Sequence, residues 1–405
     1  MIFQLAWKNI WRNKKRSLIL ILSALAGIWG GIFANSIFIG MWETTIESAI
    51  NRELSHIQIH NPEYLEEKLI NQNISDINKV REILSHTNYI KNFSERTIID
   101  GIALSTVTSG GVKIIGIQPE KEKFITSIHN KLITGRYLKH NQNNEILIGR
   151  KLAERLKLKV GSKLVLSFQD VNGNLVASAF RVTGIFRTES SIFDERNCFV
   201  NSDELFSLTG RKDLIHEIAI RLNDINEIEE AKNFLQLHLT KLKVDSWKDL
   251  APEYSLTQEF LYLELNIFMG IILFAILFGI SNTMMMSVYE RIREFGVLLA
   301  IGMKRIRLFS LIVIESVILL FTGGIIGTLL GFVSIQLLQK NGVDLSIFGE
   351  GLASYGISAV LYPELPLEMY LSLFLMMLIT SIFAALSPAI KAVKLKPAEA
   401  IRSFN

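Results

Sequence analysis

The 405-residue sequence predicts a membrane protein: four transmembrane α-helices, with a large extracytoplasmic α+β domain between spans 1 and 2. Three observations carry this. Hydrophobic residues make up 49% of the chain and charged residues 20%, too apolar for an ordinary soluble protein of this size. Four runs are long enough to cross a hydrocarbon core of roughly 30 Å as helices. Residues 17–42, 265–289 and 369–390 carry no charge, and 308–338 carry only Glu315. Finally, Lys and Arg collect at alternate ends of these runs.

The basic segments orient the chain. Lys8, Arg12, Lys14, Lys15 and Arg16 precede the first run with no acid among them. Arg291, Arg293, Lys304, Arg305 and Arg307 lie between the second and third, and Lys391, Lys394, Lys396 and Arg402 follow the fourth. The stretch 339–366 has Lys340 alone against Asp344, Glu350 and Glu364. All three basic segments fall on one side, so both termini are expected in the cytoplasm of a multi-pass protein. The expected divisions are a cytoplasmic interfacial helix at 1–16, spans at 17–42, 265–289, 308–338 and 367–390, and an extracytoplasmic domain at 43–264. A cytoplasmic helix at 290–307, an extracytoplasmic loop at 339–366 and a cytoplasmic tail at 391–405 complete them.

Within MIFQLAWKNIWRNKKR, Phe3, Ala6, Trp7, Ile10 and Trp11 share a helical stripe that suits membrane lipid; the simpler role is a snorkelling anchor. The first apolar run is too long for a cleaved signal peptide and lacks a small-x-small cleavage site, so it is expected to stay as a span.

Residues 43–264 hold 28 basic and 31 acidic residues, a near-neutral balance that gives no footing for nucleic acid. Short strands and helices alternate there. SHIQIH reads as a strand, NKVREIL as a helix, and ERTIIDGIALSTVT with VKIIGI as a hairpin about Ser109-Gly110-Gly111. KLVLSFQD and LVASAFRVTGIF flank Asn172-Gly173-Asn174, the strongest hairpin signal. EILIG, CFVN and EIAIRL read as strands; RKLAERLKL, SDELFSL and EIEEAKNFLQLHL read as helices. The β-rich middle is expected at about 135–200. Beyond Gly40 and after Pro252 nothing breaks a helix, so domain and spans are expected to move together.

Chemistry finds little anchor. Cys198 is the only cysteine, so no intrachain disulfide can form. No phosphate-binding Gly-x-x-x-x-Gly-Lys-Ser/Thr loop, His-Glu-x-x-His or Gly-x-Ser-x-Gly occurs. His56 and His60 lie about 13 Å apart on a strand, too far to share a metal, so no metal or catalytic residue is expected. Gly27 and Gly31 in span 1, and Gly323, Gly327 and Gly331 in span 3, repeat every four residues and suit close helix packing, within the chain or across a dimer. Glu315 is expected near the cytoplasmic interface, paired with Arg307 or Lys304.

SVYERIREFGVLLAIGMKRIRLF, residues 287–309, is no ordinary loop. Its helix opens on charges, continues through apolar 297–301 and stops at Gly302. An apolar helix end on the cytosolic side needs cover, by a groove on a partner protein or by the bilayer interface.

ERIREFGVLLAIGMKRIRLFSLIVIES, with AWKNIWRNKKRS at the start and AIKAVKLKPAEAIR at the end, resembles the FtsX/MacB/Lol superfamily of ABC-transporter permeases. The resemblance implies a MacB-like periplasmic core for the extracytoplasmic domain. It implies that Glu290, Arg291, Arg293, Glu294, Phe295, Gly296, Val297 and Leu298 couple to a separate ABC ATPase subunit that binds the ATP. No ATPase precedes the first span here, so the ATPase is expected in trans and this chain is expected to be a transport subunit without enzymatic activity or cofactor. The resemblance further implies a bacterial inner membrane, a second permease copy or paralogue, and mechanotransmission rather than a channel. NEILIGRKLAERLKLKVGSKLVLSF and VTGIFRTESSIFDERNCFVN are most similar to lipoprotein-releasing (Lol-type) permeases, which implies a periplasmic lipoprotein chaperone or adaptor. ERIREFGVLLAIG is closer to MacB-type exporters of peptides or amphiphiles; regulation of cell-wall enzymes, as in FtsX-type proteins, is the other alternative.

Overall fold

The computed structural model of the chain describes residues 2–140 and 142–395, so Lys396, Arg402 and the end of the C-terminal motif lie outside the described residues. Among the described residues, four helices are long and apolar enough to cross a membrane. Span 1 is Lys14–Ala49, span 2 Pro252–Glu290, span 3 Arg305–Asn341 and span 4 Leu367–Val393. Each overruns its apolar run because helix-compatible residues flank it. Span 1 continues through ETTIESA and ends in a π-helical turn, Ile50–Leu54, closed by Ser55 at φ 58°. Span 2 opens on Pro252, a first-turn position where the missing N–H costs nothing. Its 39 residues extend about 58 Å, nearly twice a hydrocarbon core.

The expected interfacial helix at 1–16 is shorter: the N-terminal helix is Ile2–Arg12, and span 1 begins at Lys14. The expected stripe also divides. Ala6 and Ile10 are buried in the bundle, while Phe3, Trp7 and Trp11 stay exposed at i, i+4 spacing. Two adjacent faces do two jobs, one against protein and one free for lipid.

One apolar core unites the N-terminal helix with all four spans. The glycine faces set the spacing. A Cβ on Gly323 would run into the Ile21 carbonyl oxygen, and one on Gly327 would sit 2.8 Å from that of Leu25, so span 3 packs on the backbone of span 1. Gly331 meets Ile32, and Gly27 and Gly31 meet Ile276 and Met269 of span 2. All five glycines therefore face neighbours within the chain. Spans 3 and 4 join through Ser316 Oγ, which donates to the Ser381 carbonyl at 2.8 Å.

The extracytoplasmic unit is built on ten strands: β1 Ile57–His60, β2 Ile90–Leu104, β3 Ser109–Ile117, β4 Leu132–Gly135, β5 Glu145–Gly149, β6 Lys163–Gln169, β7 Leu175–Phe186, β8 Asn197–Asn201, β9 Glu217–Leu222 and β10 Lys243–Ser246. β2 is long enough to serve two assemblies. Its first half pairs with β9, which pairs β1, which pairs β10. Its second half pairs with both β3 and β6, and the ladder β2-β3-β8-β5-β7-β6 returns to β2 as a closed ring. Alternating Leu164, Leu166 and Phe168 of β6 fill the ring with Ile114, Ile146, Ile148, Phe180, Val182 and the fully buried Cys198.

Two expectations change here. The β-rich part is not confined to about 135–200, because β2 and β3 complete the ring. The first hairpin turns at 105–108, where Ser105 Oγ accepts from Thr108 N–H at 3.1 Å; Ser109-Gly110-Gly111 lies inside β3. That Gly pair mimics a turn, but the serine turn upstream meets the backbone demand first. The 170–174 hairpin forms as expected, with Asp170 Oδ1 accepting from Asn172 and Asn174 N–H, each at 2.8 Å.

Around β1, β9 and β10 a second core collects Ile57, Ile59, Ile218, Ile220 and Val244 with the helices Ile77–Ser85 and Ile228–His238. Charge is buried beside it. Arg96 lies between Glu122 and Glu217, and Glu217 also reaches His60 Nε2 at 3.3 Å.

Candidate functional site

Span 2 ends at Glu290, and a short helix, Ile292–Ala300, follows before span 3 starts at Arg305. Gly302 closes this helix at φ +97°. Gly302 N–H donates to the Leu299 carbonyl at 3.1 Å and Met303 N–H to that of Leu298 at 3.0 Å, the paired closure that favours glycine. The chain thus reverses within a few residues.

The residues expected to face a partner divide sharply. Phe295, 1% exposed, and Gly296 are buried in the bundle core, and Leu298 and Leu299 pack partly against it. Arg291 is also inside: its guanidinium carbon stands 4.8 Å from the Phe295 ring centroid. Its Nη1 donates to Glu315 Oε1 at 3.0 Å, and its Nε to Glu294 Oε2 at 3.2 Å. The expected partners of Glu315, Arg307 and Lys304, are both exposed and not bonded to it. The helical reversal delivers Arg291 to the buried carboxylate instead, and Asn9 Nδ2 completes it at 2.6 Å. A carboxylate at this depth is costly unless satisfied, which both donors achieve.

The acids of the turn are also engaged. Arg12 Nη1 donates to Glu294 at 2.6 Å, and Arg16 holds both oxygens of Glu290 at 3.1 and 2.8 Å. Burial opposes ionisation of Glu294, but Arg12 and Arg291 outweigh it and hold the carboxyl below the usual range. Sequence reading missed Asn9, Arg12 and Arg16. The signal was present: Arg12 and Arg16 are four apart, as are Glu290 and Glu294, and they pair in antiparallel order. What remains outward is Arg293, Lys304, Arg305 and Arg307 with Val297, Ile301 and Ile306, the last three 41%, 79% and 65% exposed. The outward surface is basic and apolar apart from the exposed, paired acids Glu290 and Glu294.

The extracytoplasmic unit offers no comparable constellation. His56 Nδ1 accepts from Leu222 N–H at 3.2 Å, and His60 faces Glu217, so the two rings serve separate structural bonds. Among the described residues no group of three His, Cys, Asp or Glu side chains could hold a metal ion. A cleft of about 750 Å³ is lined by Lys68, Asp100, Lys113, Arg155, Glu195 and Arg196 among others. Its charges alternate, and Arg155 and Glu195 already pair at 2.9 Å, so no one ligand chemistry converges there.

These features define a multi-pass membrane protein whose short basic reversal lies between spans 2 and 3 and whose large extracytoplasmic domain lies between spans 1 and 2. Residues 17–236 match the MacB-like periplasmic core domain, and residues 266–397 match the FtsX-like permease C-terminal domain. The chain belongs to this MacB/FtsX family of ABC transporter permeases.

It is 27% identical over 282 residues to an uncharacterized ABC transporter permease of Methanocaldococcus jannaschii, covering 66% of this chain and 64% of that protein. It is 25% identical over 348 residues to the lipoprotein-releasing system transmembrane protein LolC of Buchnera aphidicola, covering 81% of each. To the macrolide export ATP-binding/permease protein MacB of Bdellovibrio bacteriovorus it is 26% identical over 316 residues, covering 72% of this chain and 44% of that protein. The solved periplasmic region of MacB from Actinobacillus actinomycetemcomitans aligns with a TM-score of 0.37 at 14% identity, covering 52% of this chain and 97% of that one.

Proposed function

We propose that this chain is the permease subunit of a mechanotransmission-type ABC transporter that draws acylated lipoproteins out of the inner membrane. A separate ABC ATPase subunit binds and hydrolyses ATP, docking on the outward face of helix Ile292–Ala300 and its turn. A second permease, copy or paralogue, completes the pair, and a periplasmic chaperone or adaptor receives the cargo. The basic clusters before span 1, after span 2 and after span 4 support cytoplasmic termini.

The observation that carries the reading is the reach of the LolC likeness, which takes in 81% of both chains. The alignment to the macrolide export ATP-binding/permease protein takes in 44% of that relative. One feature favours a second reading, export of peptides or amphiphiles: the segment ERIREFGVLLAIG resembles MacB-type permeases more than Lol-type ones.

Depletion of the chain in its native host, followed by membrane fractionation, separates the two. Accumulation of acylated lipoproteins in the inner membrane supports lipoprotein release. Unchanged sorting with a new sensitivity or secretion defect supports export instead.

A further inference from the structure

The outward face of the reversal accounts for docking, but not for the ionic circuit behind it. Asn9, Glu315, Arg291, Glu294 and Arg12 form a chain of bonds that begins and ends on the N-terminal helix. Arg16 and Glu290 add a parallel link at the end of span 2. Apolar packing of Phe295 alone would hold helix Ile292–Ala300 against the bundle, since that ring is already 1% exposed. Apolar contact is non-directional, however, and lets a nine-residue helix roll or slide. Directional bonds at Glu294 in its first turn, and at Glu290 just before it, fix its angle and register.

We propose that the N-terminal helix is a positioning strut of the coupling apparatus, and that Arg291 works from inside it rather than at the partner surface. Arg12 of the N-terminal helix grips Glu294, and Arg16 at the start of span 1 grips Glu290 at the end of span 2, so a push on helix Ile292–Ala300 is passed to the N-terminal helix and span 1 as well as to span 3. Glu315 and Asn9 anchor the inner end of the same circuit. Arg291, Arg12 and Arg16 are positioning residues, and the acids they hold are spoken for before any partner arrives. The inference rests on the proposed docking of an ABC ATPase subunit.

The test uses the full chain with its ABC ATPase subunit in lipid nanodiscs, reading ATP hydrolysis and transport together. Arg12 and Arg16 are reversed (R12E/R16E), their partners are reversed (E290R/E294R), and all four are then combined. Each reversed pair is expected to cut transport per ATP about fivefold, while the quadruple variant restores most of it. Thermal midpoints of all variants are measured alongside, because a purely structural role would move melting and transport together. If R12E/R16E keeps the wild-type ratio, or the quadruple variant stays uncoupled, the strut is refuted. The second result would mean that Glu290 and Glu294 act through other contacts, the ATPase or Arg291, and not through Arg12 and Arg16. If the wild-type chain retains no ABC ATPase subunit on purification, the docking reading itself fails, which is a separate result. The strut then fails with it as a coupling device.

Discussion

Arg96 Nη2 donates to Glu122 Oε1 at 2.7 Å in the interior of the extracytoplasmic domain, with the two side chains 6% and 1% exposed. Glu217, 9% exposed, accepts from the other arm of the guanidinium, so one cation answers two carboxylates. Removing the cation leaves two buried charges unpaired. Arg96→Leu is expected to cost at least about 3–5 kcal/mol, the usual penalty for breaking a buried pair. Lys123→Ala, at a partly exposed pair with Glu120, should stay within about 1 kcal/mol. Thermal unfolding of the detergent-solubilised chain compares them, and near-equal midpoints would refute the ranking.

Acid acts on this domain in opposed directions. Burial, with Arg221 nearby, pulls His56 down to about 4, so the fold keeps a neutral ring and loses stability as pH falls from 6.5 towards 4. Burial pushes Asp194 up to about 7 despite its bonds from Thr188, so acidification from 7 to 3.8 adds stability. Burial also disfavours the Glu217 charge, but Arg96 and His60 outweigh it and hold the carboxyl at about 2; its contribution is lost as pH falls from 4.5 to 2. Wild-type stability should therefore be nearly level from pH 7 to 5 and fall below 4.5. Asp194→Asn should remove the offset, so that its decline starts near pH 6.5. Parallel melting curves for the two proteins would sink this account.

Phe295 is a poor handle for testing docking, since a charge placed there unfolds the reversal before it reaches any partner. Ile301, 79% exposed, is the better one. Ile301→Asp should change the midpoint by no more than about 0.5 kcal/mol equivalent, as a surface substitution does. It should release a bound ABC ATPase subunit during purification, which a pull-down reads. Retention of the subunit at wild-type stoichiometry would place docking elsewhere.

Close backbone approach makes Gly323 intolerant. Gly323→Ala should destabilise the bundle by about 1–3 kcal/mol, because the Ile21 carbonyl cannot rotate away. Gly30→Ala in span 1, with no atom within 4 Å of the new methyl, should be neutral or slightly stabilising. Detergent melts of the two variants provide the comparison.

The legible and illegible parts differ for a physical reason. Spans declare themselves locally, because about 20 successive residues of a helix in lipid must be predominantly apolar, and the strands at 163–186 alternate around a turn that only a few residues permit. Ring closure is not local: β2 and β6 meet through three residue pairs about sixty positions apart, and nothing in either strand names the other. The same holds for Glu315. Its depth was readable from its apolar flanks, but the cation that meets it was decided by where Gly302 turns the chain. The burial of Phe295 was not legible either, because a resemblance in sequence does not say which side of the helix faces the bundle.

The ring has one more implication, for how other chains can join the domain. A strand bonded on both sides has no hydrogen-bonding groups left to offer, so recruitment by β-augmentation is closed wherever the ring is doubly paired. β4 and β10, four residues each, end the ladder, and Leu175–Phe180 of β7 pairs with β6 on one side only. A protein that grips the doubly paired part of the ring does so through side chains and loops, and its specificity will be written in them.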